Sequence, residues 1–293
     1  MARPETVAIL SPGEMGHAIG RTLARRGLRV ITSLDGRSKR TAGLTRAAGI
    51  EDVGSLDRVV QEADVVLSVL PSAAAPVVAR EVARRLPGRA RPLTFVECNA
   101  LAPQTVRQIG AVVAEAGGHV VDVGIIGSPP TEKRSPRFYA SGPFADEFLV
   151  FRDFGLEVLP LGPEIGQASG MKMCYAALTK GLSALGTELL LASAKLNLLD
   201  ALLAELKDSQ PTALEWLERA IPAMPPKSRR WVSEMEEIAA TLEYLHLSPG
   251  YHQAASNLYR WVGETELGHE RPETRDTSRT LRAVIEELAK VER

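Results

Sequence analysis

Thr6-Val-Ala-Ile-Leu10-Ser-Pro-Gly13-Glu-Met-Gly16-His-Ala-Ile-Gly20 is the segment from which the architecture of the first half of the chain can be predicted. Its β-branched and apolar start predicts a short buried strand, and the apolar residues that recur through Leu23 predict a helix. The glycines between these two elements predict a tight turn. A strand, a glycine-rich turn and a helix in this order form the setting in which proteins bind the pyrophosphate of a dinucleotide at a helix N-terminus.

The turn has the spacing of a G-x-G-x-x-G motif in which Ser11 stands at the first glycine. Gly13 would let the backbone approach a pyrophosphate, and Gly16 would let the helix pack closely on the strand. We therefore predict that Gly13, Glu14, Met15 and Gly16 bind a dinucleotide cofactor. The alternative is a plain strand-to-helix turn, and the correct flanking elements favour the dinucleotide.

The end of the second predicted strand, Arg29–Leu34, should meet the adenosine ribose of that cofactor. Asp35 stands where an acidic side chain would accept a hydrogen bond from a ribose 2′-hydroxyl, which is typical of NAD binding. Arg37 and Ser38 follow at once, and a guanidinium beside a hydroxyl suits a 2′-phosphate better than a bare ribose. The sequence therefore favours NADP, with NAD as the alternative and an ordinary basic surface turn as the interpretation without function.

Continuous apolar runs alternate with amphipathic stretches through this half, which predicts a doubly wound parallel sheet of the Rossmann type with helices on both faces. Ligands of such sheets bind beyond the carboxyl ends of the strands. We therefore expect Leu70, Pro71 and Asn99 to contact the cofactor, and Gly127 and Ser128 to contact the substrate. The further predicted strands are Asp64–Leu70, Thr94–Asn99, His119–Ile126, Arg137–Ser141 and Glu157–Leu161.

A turn at Gly162-Pro163 divides the chain into a predicted Rossmann domain, residues 1–163, and an all-α domain, residues 164–293. The second domain begins with a proline-free stretch, Gln167 to about Leu206, that predicts one long helix. A helical domain dominated by one such helix often completes its core through a partner subunit. We therefore expect a homodimer formed through the helical domain.

Two stripes run along the predicted long helix at about 100° per residue. Lys172, Tyr175 and Thr179 form one stripe, which would face a polar environment or a cavity. A lysine on a solvated face is the alternative, but a lysine near a helix start opposes the helix dipole, so stability alone does not explain it. On a later amphipathic helix, Trp231 and Met235 are predicted to be core residues. The second stripe of the long helix is predicted to be core and contains Leu178, Leu182, Leu185 and Leu189.

Composition excludes several classes of function. The formal net charge of −1, from 35 basic and 36 acidic residues, gives no electrostatic footprint for nucleic acid or a membrane, so the expected partner is a small-molecule substrate. Cys98 and Cys174 lie in apolar patterns and are expected to be core residues of a protein from a reducing compartment. With no signal-type N-terminus, we predict a cytoplasmic protein. His246 and His252 lack a third ligand at metal spacing, so no metal site is predicted.

Four landmarks in the chain resemble motifs of the β-hydroxyacid dehydrogenase family, which includes 6-phosphogluconate dehydrogenase, 3-hydroxyisobutyrate dehydrogenase and the imine reductases. The resemblance covers the chain from Thr6 to about Leu190. The landmarks are Ser11–Gly16 for the family's G-x-G-x-M-G, Glu97–Pro103 for its D-x-S-T-x-S-P, Val121–Ser128 for its D-A-P-V-S-G-G substrate loop, and Gly166–Lys172 for its G-x-G-x-x-x-K, with Lys172 at the catalytic lysine.

This resemblance implies hydride transfer between NADP(H) and a small hydroxy or oxo acid, with Lys172 as the general acid and base. Tyr175 and Thr179 would orient the substrate oxygen. The chain has Tyr175 and Ala176 where the family has an asparagine, so a second hypothesis is an imine or enamine reductase in which Tyr175 supplies the proton. A third hypothesis is a nucleotide-sensing protein that binds NADP without reacting.

Overall fold

The computed structural model describes residues 3–292 and divides the chain into two compact units, Met1–Met173 and Cys174–Arg293. The division falls inside a helix, whereas the sequence analysis placed the domain boundary after residue 163. The difference arises because the first turn of that helix is hydrogen-bonded to the sheet of the first unit through Asp122.

The first unit is built on an eight-stranded sheet. Its strands are β1 (Thr6–Leu10), β2 (Arg29–Thr32), β3 (Glu51–Asp52), β4 (Val65–Ser68), β5 (Thr94–Glu97), β6 (His119–Ile126), β7 (Arg137–Ser141) and β8 (Glu157–Gly162). Their order is β3-β2-β1-β4-β5-β6-β7-β8, and all pairs are parallel except β6 with β7. The strand order reverses between β1 and β4, which opens a crevice beyond their carboxyl ends. The prediction of a doubly wound, mostly parallel sheet is confirmed.

Alternate residues of each strand point to opposite faces of the sheet, and each face is covered by helices. Val7 and Ile9 belong to a core cluster with α1 (Glu14–Arg25) and the phenylalanines before β8, whereas Ala8 and Leu10 belong to a cluster with α3 (Leu56–Glu62), α4 (Ala75–Ala83) and α5 (Pro103–Glu115). Most apolar side chains of the first unit are therefore enclosed within the unit, although Val77, Leu161 and Met171 are exposed. Its helices are α1 (Glu14–Arg25), α2 (Lys39–Ala47), α3 (Leu56–Glu62), α4 (Ala75–Ala83), α5 (Pro103–Glu115) and the short α6 (Asp146–Leu149).

The long helix α7 (Gln167–Lys195) starts in the first unit and continues into the second, which is otherwise helical. The prediction of one helix to Leu206 is wrong, because Asn197 adopts a left-handed conformation, with φ of 57°, and ends the run. Asparagine tolerates this conformation better than most residues, which makes it a frequent helix terminator. The later helices are α8 (Leu199–Ser209), α9 (Pro211–Ala220), α10 (Ser228–Tyr244), α11 (Gly250–Glu264), α12 (Glu266–His269) and α13 (Leu281–Ala289).

Close contacts hold the helices of the second unit around α7. A Cβ atom on Gly186 would lie 2.3 Å from Leu217 Cδ2, so the glycine permits α9 to approach α7. The buried Tyr259 hydroxyl donates to the Lys180 carbonyl oxygen at 2.5 Å and ties α11 to α7. Met235 is fully buried as predicted, but Trp231 is only half-buried.

The leucine stripe of α7 is not core, and this prediction is wrong. Leu178 is 61% exposed, Leu182 41% and Leu185 47%, and Cys174 on the same face is exposed instead of buried. A helical period shows that a face is apolar but not what covers it. No helix within residues 3–292 combines the length and apolar character that a membrane crossing needs. The face of α7 that packs inside the second unit consists of small and polar residues together with leucine: Ala176, Ser183, Ala184, Thr187 and Leu190.

Candidate active site

The turn after β1 has the backbone geometry of a glycine-rich loop although its first glycine is replaced. Ser11 adopts the left-handed conformation, with φ of 56°, that favours glycine at this point. The Gly13 N–H then donates to the Ser11 carbonyl oxygen at 2.7 Å, which closes a tight turn. Helix α1 begins at Glu14 after a Gly13 cap that offers no side-chain acceptor. The N-terminus of α1 thus follows the carboxyl end of β1, in the arrangement in which helix N–H groups can bind an anion.

Gly13, Gly16 and Gly20 follow Ser11 and differ in how much space surrounds them. The contacts that a hypothetical Cβ atom would make at each position show this difference. On Gly16 it would lie 3.1 Å from Ile9 Cγ2, and on Gly20 it would lie 2.5 Å from Ile50 Cδ1, so both glycines let α1 pack on the sheet. On Gly13 the nearest atom would be the Ser11 carbonyl oxygen at 3.9 Å, which is an ordinary contact. Packing of the protein therefore does not require a glycine at position 13. Open space above this backbone fits a bound pyrophosphate.

The turn after β2 presents basic groups where the adenosine ribose of a dinucleotide would lie. The Arg37 N–H donates to the Leu34 carbonyl oxygen at 2.9 Å, and Gly36 at φ of 66° completes the turn. Arg37 and Asp35 are both exposed. Ser38 caps α2, since its hydroxyl oxygen accepts from the Thr41 N–H at 3.2 Å. The predicted ligand Ser38 thus has a structural role, and its hydroxyl also shares a hydrogen bond with Thr41 Oγ1 at 3.1 Å.

Asn99 holds the edge of the sheet together at the ends of β4 and β5. Its side-chain oxygen accepts from the Leu70 N–H at 2.5 Å, and its amide nitrogen donates to Ser68 Oγ at 3.0 Å and to the Glu97 carboxyl. Asn99 therefore fixes the Leu70-Pro71 turn that would border a nicotinamide ring.

Glu97, beneath Asn99, is almost completely buried. Its Oε1 accepts from the Asn99 N–H at 2.9 Å, while its Oε2 has no hydrogen-bond partner among residues 3–292. Burial raises the pKa of Glu97 from 4.5 to about 8, and the hydrogen bond from the Asn99 backbone opposes that rise. A neutral Glu97 carboxyl thus supports the edge of the site at neutral pH.

Asp122 on β6 anchors the start of α7. Its Oδ2 accepts from the Gly166 N–H at 2.8 Å, the Ser169 N–H at 3.0 Å, and the hydroxyls of Ser169 and Ser141 at 3.1 Å. Burial raises the pKa of Asp122, and the hydrogen bonds from Ser169, Gly166 and Ser141 act against that rise. Sequence reasoning assigned no role to Asp122 or Glu97. The available signal was an acidic residue inside an otherwise apolar strand.

Lys172 lies at the end of β6, in the first unit. Gly124 makes this possible, because a Cβ atom there would lie 2.5 Å from the Ala168 carbonyl oxygen and 3.2 Å from Lys172 Cβ. With α7 this close to the strand, Lys172 Nζ donates to the Ile125 carbonyl oxygen at 2.5 Å. The side chain is half-buried and does not extend into bulk water. Two residues further along β6 the chain reaches the exposed Gly127, with φ of 130°.

The predicted site residues thus divide into two groups. Tyr175 and Thr179 belong to the second unit, where the Tyr175 ring is 46% exposed and the Thr179 hydroxyl donates to the Tyr175 carbonyl oxygen at 3.2 Å. The remaining residues lie in the first unit, along the carboxyl edge of its sheet: Gly13, Glu14, Met15, Gly16, Arg37, Ser38, Leu70, Pro71, Asn99, Gly127, Ser128 and Lys172.

Comparison with known proteins gives two family matches. The NAD binding domain of 6-phosphogluconate dehydrogenase matches residues 6–147, and a domain of unknown function, DUF1932, matches residues 194–262. Together with the structural likenesses, these two matches support the 6-phosphogluconate dehydrogenase-like β-hydroxyacid dehydrogenase family for this chain. Its first unit is an NAD-binding domain, so the fit of the glycine turn to a pyrophosphate agrees with the family match.

Individual relatives support the same fold. A protein of Methanothermus fervidus, named as an uncharacterized 28.5 kDa protein in the 7S RNA 5′ region, is 26% identical over 236 residues, covering 80% of this chain and 90% of the relative. A conserved protein of unknown function with structural similarity to 3-hydroxyacid dehydrogenases is 28% identical, with a TM-score of 0.66 over 88% of this chain and 97% of that one. The 3-hydroxyisobutyrate dehydrogenase of Mycobacterium tuberculosis, solved with L-serine, has a TM-score of 0.70 at 17% identity over 97% and 99% of the two chains, a likeness that shows the fold.

Proposed function

We propose that the protein is an NADP(H)-dependent oxidoreductase that interconverts a small hydroxy acid and its oxo acid, with Lys172 as the general acid and base. The observation that carries this proposal is the half-buried Lys172 amine at the end of β6, in the same unit and on the same sheet edge as the glycine turn. A proton-transfer group and a dinucleotide cradle on one edge are the two parts that hydride transfer to or from a carbinol carbon requires.

The cofactor would be held by backbone and side-chain groups of the first unit. The turn at Gly13 and the first N–H groups of α1 would bind the pyrophosphate, and the Leu70-Pro71 turn would border the nicotinamide. The bound cofactor would supply or accept the hydride. Two basic side chains in the first turn of α2, Lys39 and Arg40, oppose the helix dipole, and a 2′-phosphate beside Arg37 would offset this. This arrangement favours NADP over NAD.

The proton would move through Lys172. In oxidation its amine would accept the hydroxyl proton of the substrate, and in reduction its ammonium would donate a proton to the developing alkoxide. The backbone N–H groups of Gly127 and Ser128 would hold the substrate carboxylate. The Ile125 carbonyl oxygen accepts a hydrogen bond from the Lys172 amine and holds it at the end of β6.

The decisive experiment replaces Lys172 by Met and separates cofactor binding from turnover. We expect turnover on a panel of 3-hydroxy and 3-oxo acids to fall about 10²- to 10⁴-fold, as is typical when a general acid and base is lost. NADPH affinity should stay within about twofold, since Lys172 contacts β6 rather than the glycine turn. Lys195→Met, at the exposed end of the same helix, is the matched control. Undiminished turnover in Lys172→Met would remove Lys172 from the reaction.

The same panel tests the alternatives. Should cyclic imines be reduced and Tyr175→Phe impair that reaction more than Lys172→Met does, the protein is an imine reductase with Tyr175 as proton donor. NADPH binding without hydride exchange on any carbonyl or imine would instead indicate a protein that senses the nucleotide.

Cofactor preference is tested at Arg37. Replacement by Ala removes one charge-assisted hydrogen bond to a phosphate, so NADPH should bind about 10- to 100-fold more weakly while NADH binding is unchanged. Equal losses for both cofactors would show that Arg37 does not contact a 2′-phosphate.

We further propose that the protein is a homodimer formed through α7. Leu178, Leu182 and Leu185 are each at least two-fifths exposed on one helix face, and Met171 and Cys174 extend this face towards the start of the helix. A contiguous apolar stripe of this kind on a monomer usually marks an interface. A second copy of the same helix would cover it with matching leucines.

A further inference from the structure

A cavity of about 200 Å³ lies within the second unit, between α7, α9 and α10. Its wall contains Lys180 and Ser183 from α7, Trp216 from α9, and Lys227 and Trp231 around the start of α10. Neither the NAD-binding turn nor Lys172 contributes to it, but Thr179 of α7, which the sequence predicted to orient the substrate oxygen, also lines it.

The wall is aromatic on two sides. Trp216 and Trp231, two of the three tryptophans in the chain, are only half-buried and border the cavity. Trp231 is held in a fixed orientation by an edge contact with the Tyr259 ring, at a centroid distance of 5.2 Å and an angle of 79°. Rigid aromatic rings of this kind bind a planar ring by offset or edge contacts.

The wall is also cationic. Lys180 and Lys227 both line the cavity, and none of its lining residues in the described chain is acidic. Lys180 is buried, lies 5.5 Å from the centre of the Trp231 ring and forms an ion pair with Glu234 outside the cavity wall. Glu234 also contacts Arg230 at 3.5 Å, so one carboxylate serves more than one cation. The two ammonium groups of the wall are hydrogen-bond donors without acceptor capacity, which suits an anionic ligand.

We infer that this cavity binds a small carboxylate that carries one aromatic ring. The ring would lie against Trp216 and Trp231, and the carboxylate would accept hydrogen bonds from the ammonium groups of Lys227 and Lys180. A cavity of about 150 Å³ is sufficient for benzene, and drug-sized ligands occupy about 300 Å³ or more. The volume of about 200 Å³ therefore matches a single ring with one small substituent.

Benzoate is the probe, and tryptophan fluorescence of the full-length protein is the first measurement. We expect saturable quenching with a Kd of about 1 mM or tighter, as suits a ligand of this size in a preformed cavity. The signal should persist in Trp261→Phe, whose indole donates to the Glu292 carbonyl oxygen away from the cavity wall. It should disappear in the double variant Trp216→Phe and Trp231→Phe. Quenching that persists in the double variant would place benzoate elsewhere and overturn the inference.

Calorimetry then tests the charge and the ring separately. Lys227→Gln should weaken benzoate binding about 10-fold, whereas Lys195→Gln, which removes the same charge from an exposed position on α7, should leave it unchanged. Lys180 is left intact because its removal would strand the buried Glu234 carboxylate. Benzyl alcohol and cyclohexanecarboxylate should each bind about 10-fold more weakly than benzoate. Equal affinity for either analogue, or no binding of benzoate up to about 10 mM, would refute the inference.

Discussion

The two units of this chain enclose their apolar residues to different degrees. In the first unit, both faces of the sheet are covered by the unit's own helices, and the fully buried side chains include Ile9, Ile19 and Leu23. In the second unit, a row of leucines on α7 remains exposed. The first unit thus covers both apolar faces of its own sheet, whereas the second leaves an apolar helix face exposed to a potential partner. A glycine-rich turn can be identified within the first unit alone, whereas nothing in the described chain covers the leucine row of α7.

The largest expected effect is on assembly and comes from Leu182→Asp. In a symmetric dimer the substitution would bury two charges, one from each copy, so dimer affinity should fall at least about 10³-fold. Sedimentation velocity across a range of protein concentrations measures the change. Val77→Asp is the matched control in the first unit, because Val77 is 53% exposed and lies on α4 away from any leucine stripe.

Comparison of the two variants tests whether α7, and not an exposed apolar residue of the first unit, forms the dimer interface. Leu182→Asp should yield a monomer, while Val77→Asp should sediment like the unaltered protein. A wild-type protein that is monomeric at every concentration would show that a different partner, or none, covers α7.

The second prediction concerns Gly13, which caps α1, and Gly20 within α1. Substitution of Gly13 should weaken cofactor binding, whereas substitution of Gly20 should lower stability. Gly13→Ala adds a methyl group whose nearest protein neighbour is 3.9 Å away, so the midpoint of thermal unfolding should be unchanged. NADPH affinity should fall about 100-fold, because the methyl group would occupy the space of the pyrophosphate. Gly20→Ala would place its methyl group 2.5 Å from Ile50 Cδ1, so unfolding free energy should fall by about 1–3 kcal/mol.

Cofactor titration measures the NADPH affinity of both variants, and thermal unfolding measures their stability. Full NADPH affinity in Gly13→Ala would mean that the turn after β1 does not carry the pyrophosphate. A stability loss in Gly13→Ala equal to that of Gly20→Ala would show that position 13 is constrained by the fold after all.

The third prediction is a pH dependence that arises in the first unit alone. The pKa of Glu97 is raised from 4.5 to about 8 by burial, so the folded state holds a proton that the unfolded state releases between these values. Its contribution to stability is complete below pH 4.5 and is lost as pH rises towards 8, by about 1.4 kcal/mol for each pH unit. Glu97→Gln, which stays neutral, should remove this slope.

Unfolding free energy measured from pH 5 to 9 provides the test. The variant and the wild type should be closest in stability near pH 5 and should diverge towards pH 8, with the variant the more stable. Parallel curves over the whole range would show that Glu97 is charged in the folded protein.

The sequence predicted much of the first unit because its signals are local. The run Thr6–Leu10 and the glycines after it specify a strand, a turn and a helix, and the rule for parallel sheets placed the remaining turns on one edge. The support beneath that edge was missed because Asp122 acts through partners that are distant in sequence, and because Glu97 is a carboxyl group that the fold buries almost completely. Their burial depends on packing that no short segment reveals.

The second unit was predicted less well for a related physical reason. A periodic row such as Leu178, Leu182 and Leu185 has the same appearance whether it faces a core or a partner. Composition also did not indicate the break at Asn197, because it depends on one backbone dihedral angle. The presence of helices could be predicted from the sequence. Where each helix ends, and which of its faces is covered, depends on tertiary packing.

The smallest expected effect is on stability and comes from replacing one left-handed residue in each unit by glycine. Ser11 and Asn197 both adopt left-handed conformations, with φ of 56° and 57°. A non-glycine residue in this region is destabilised by about 1–2 kcal/mol, and glycine regains part of that while adding entropy to the unfolded chain. Ser11→Gly should therefore raise unfolding free energy by about 0.5–1 kcal/mol. Asn197→Gly should gain less, since asparagine already tolerates the conformation.

Denaturant unfolding of both variants, together with NADPH titration of Ser11→Gly, checks this order. Because Ser11 already holds the turn in the geometry of a glycine motif, the substitution should alter stability without altering cofactor affinity. A tighter NADPH complex in Ser11→Gly would mean that the serine side chain, rather than the backbone angle, limits binding. In that case the serine at the first motif position would have changed the cofactor site itself. Cofactor binding would then depend on the Ser11 side chain as well as on the backbone geometry and the open space at Gly13.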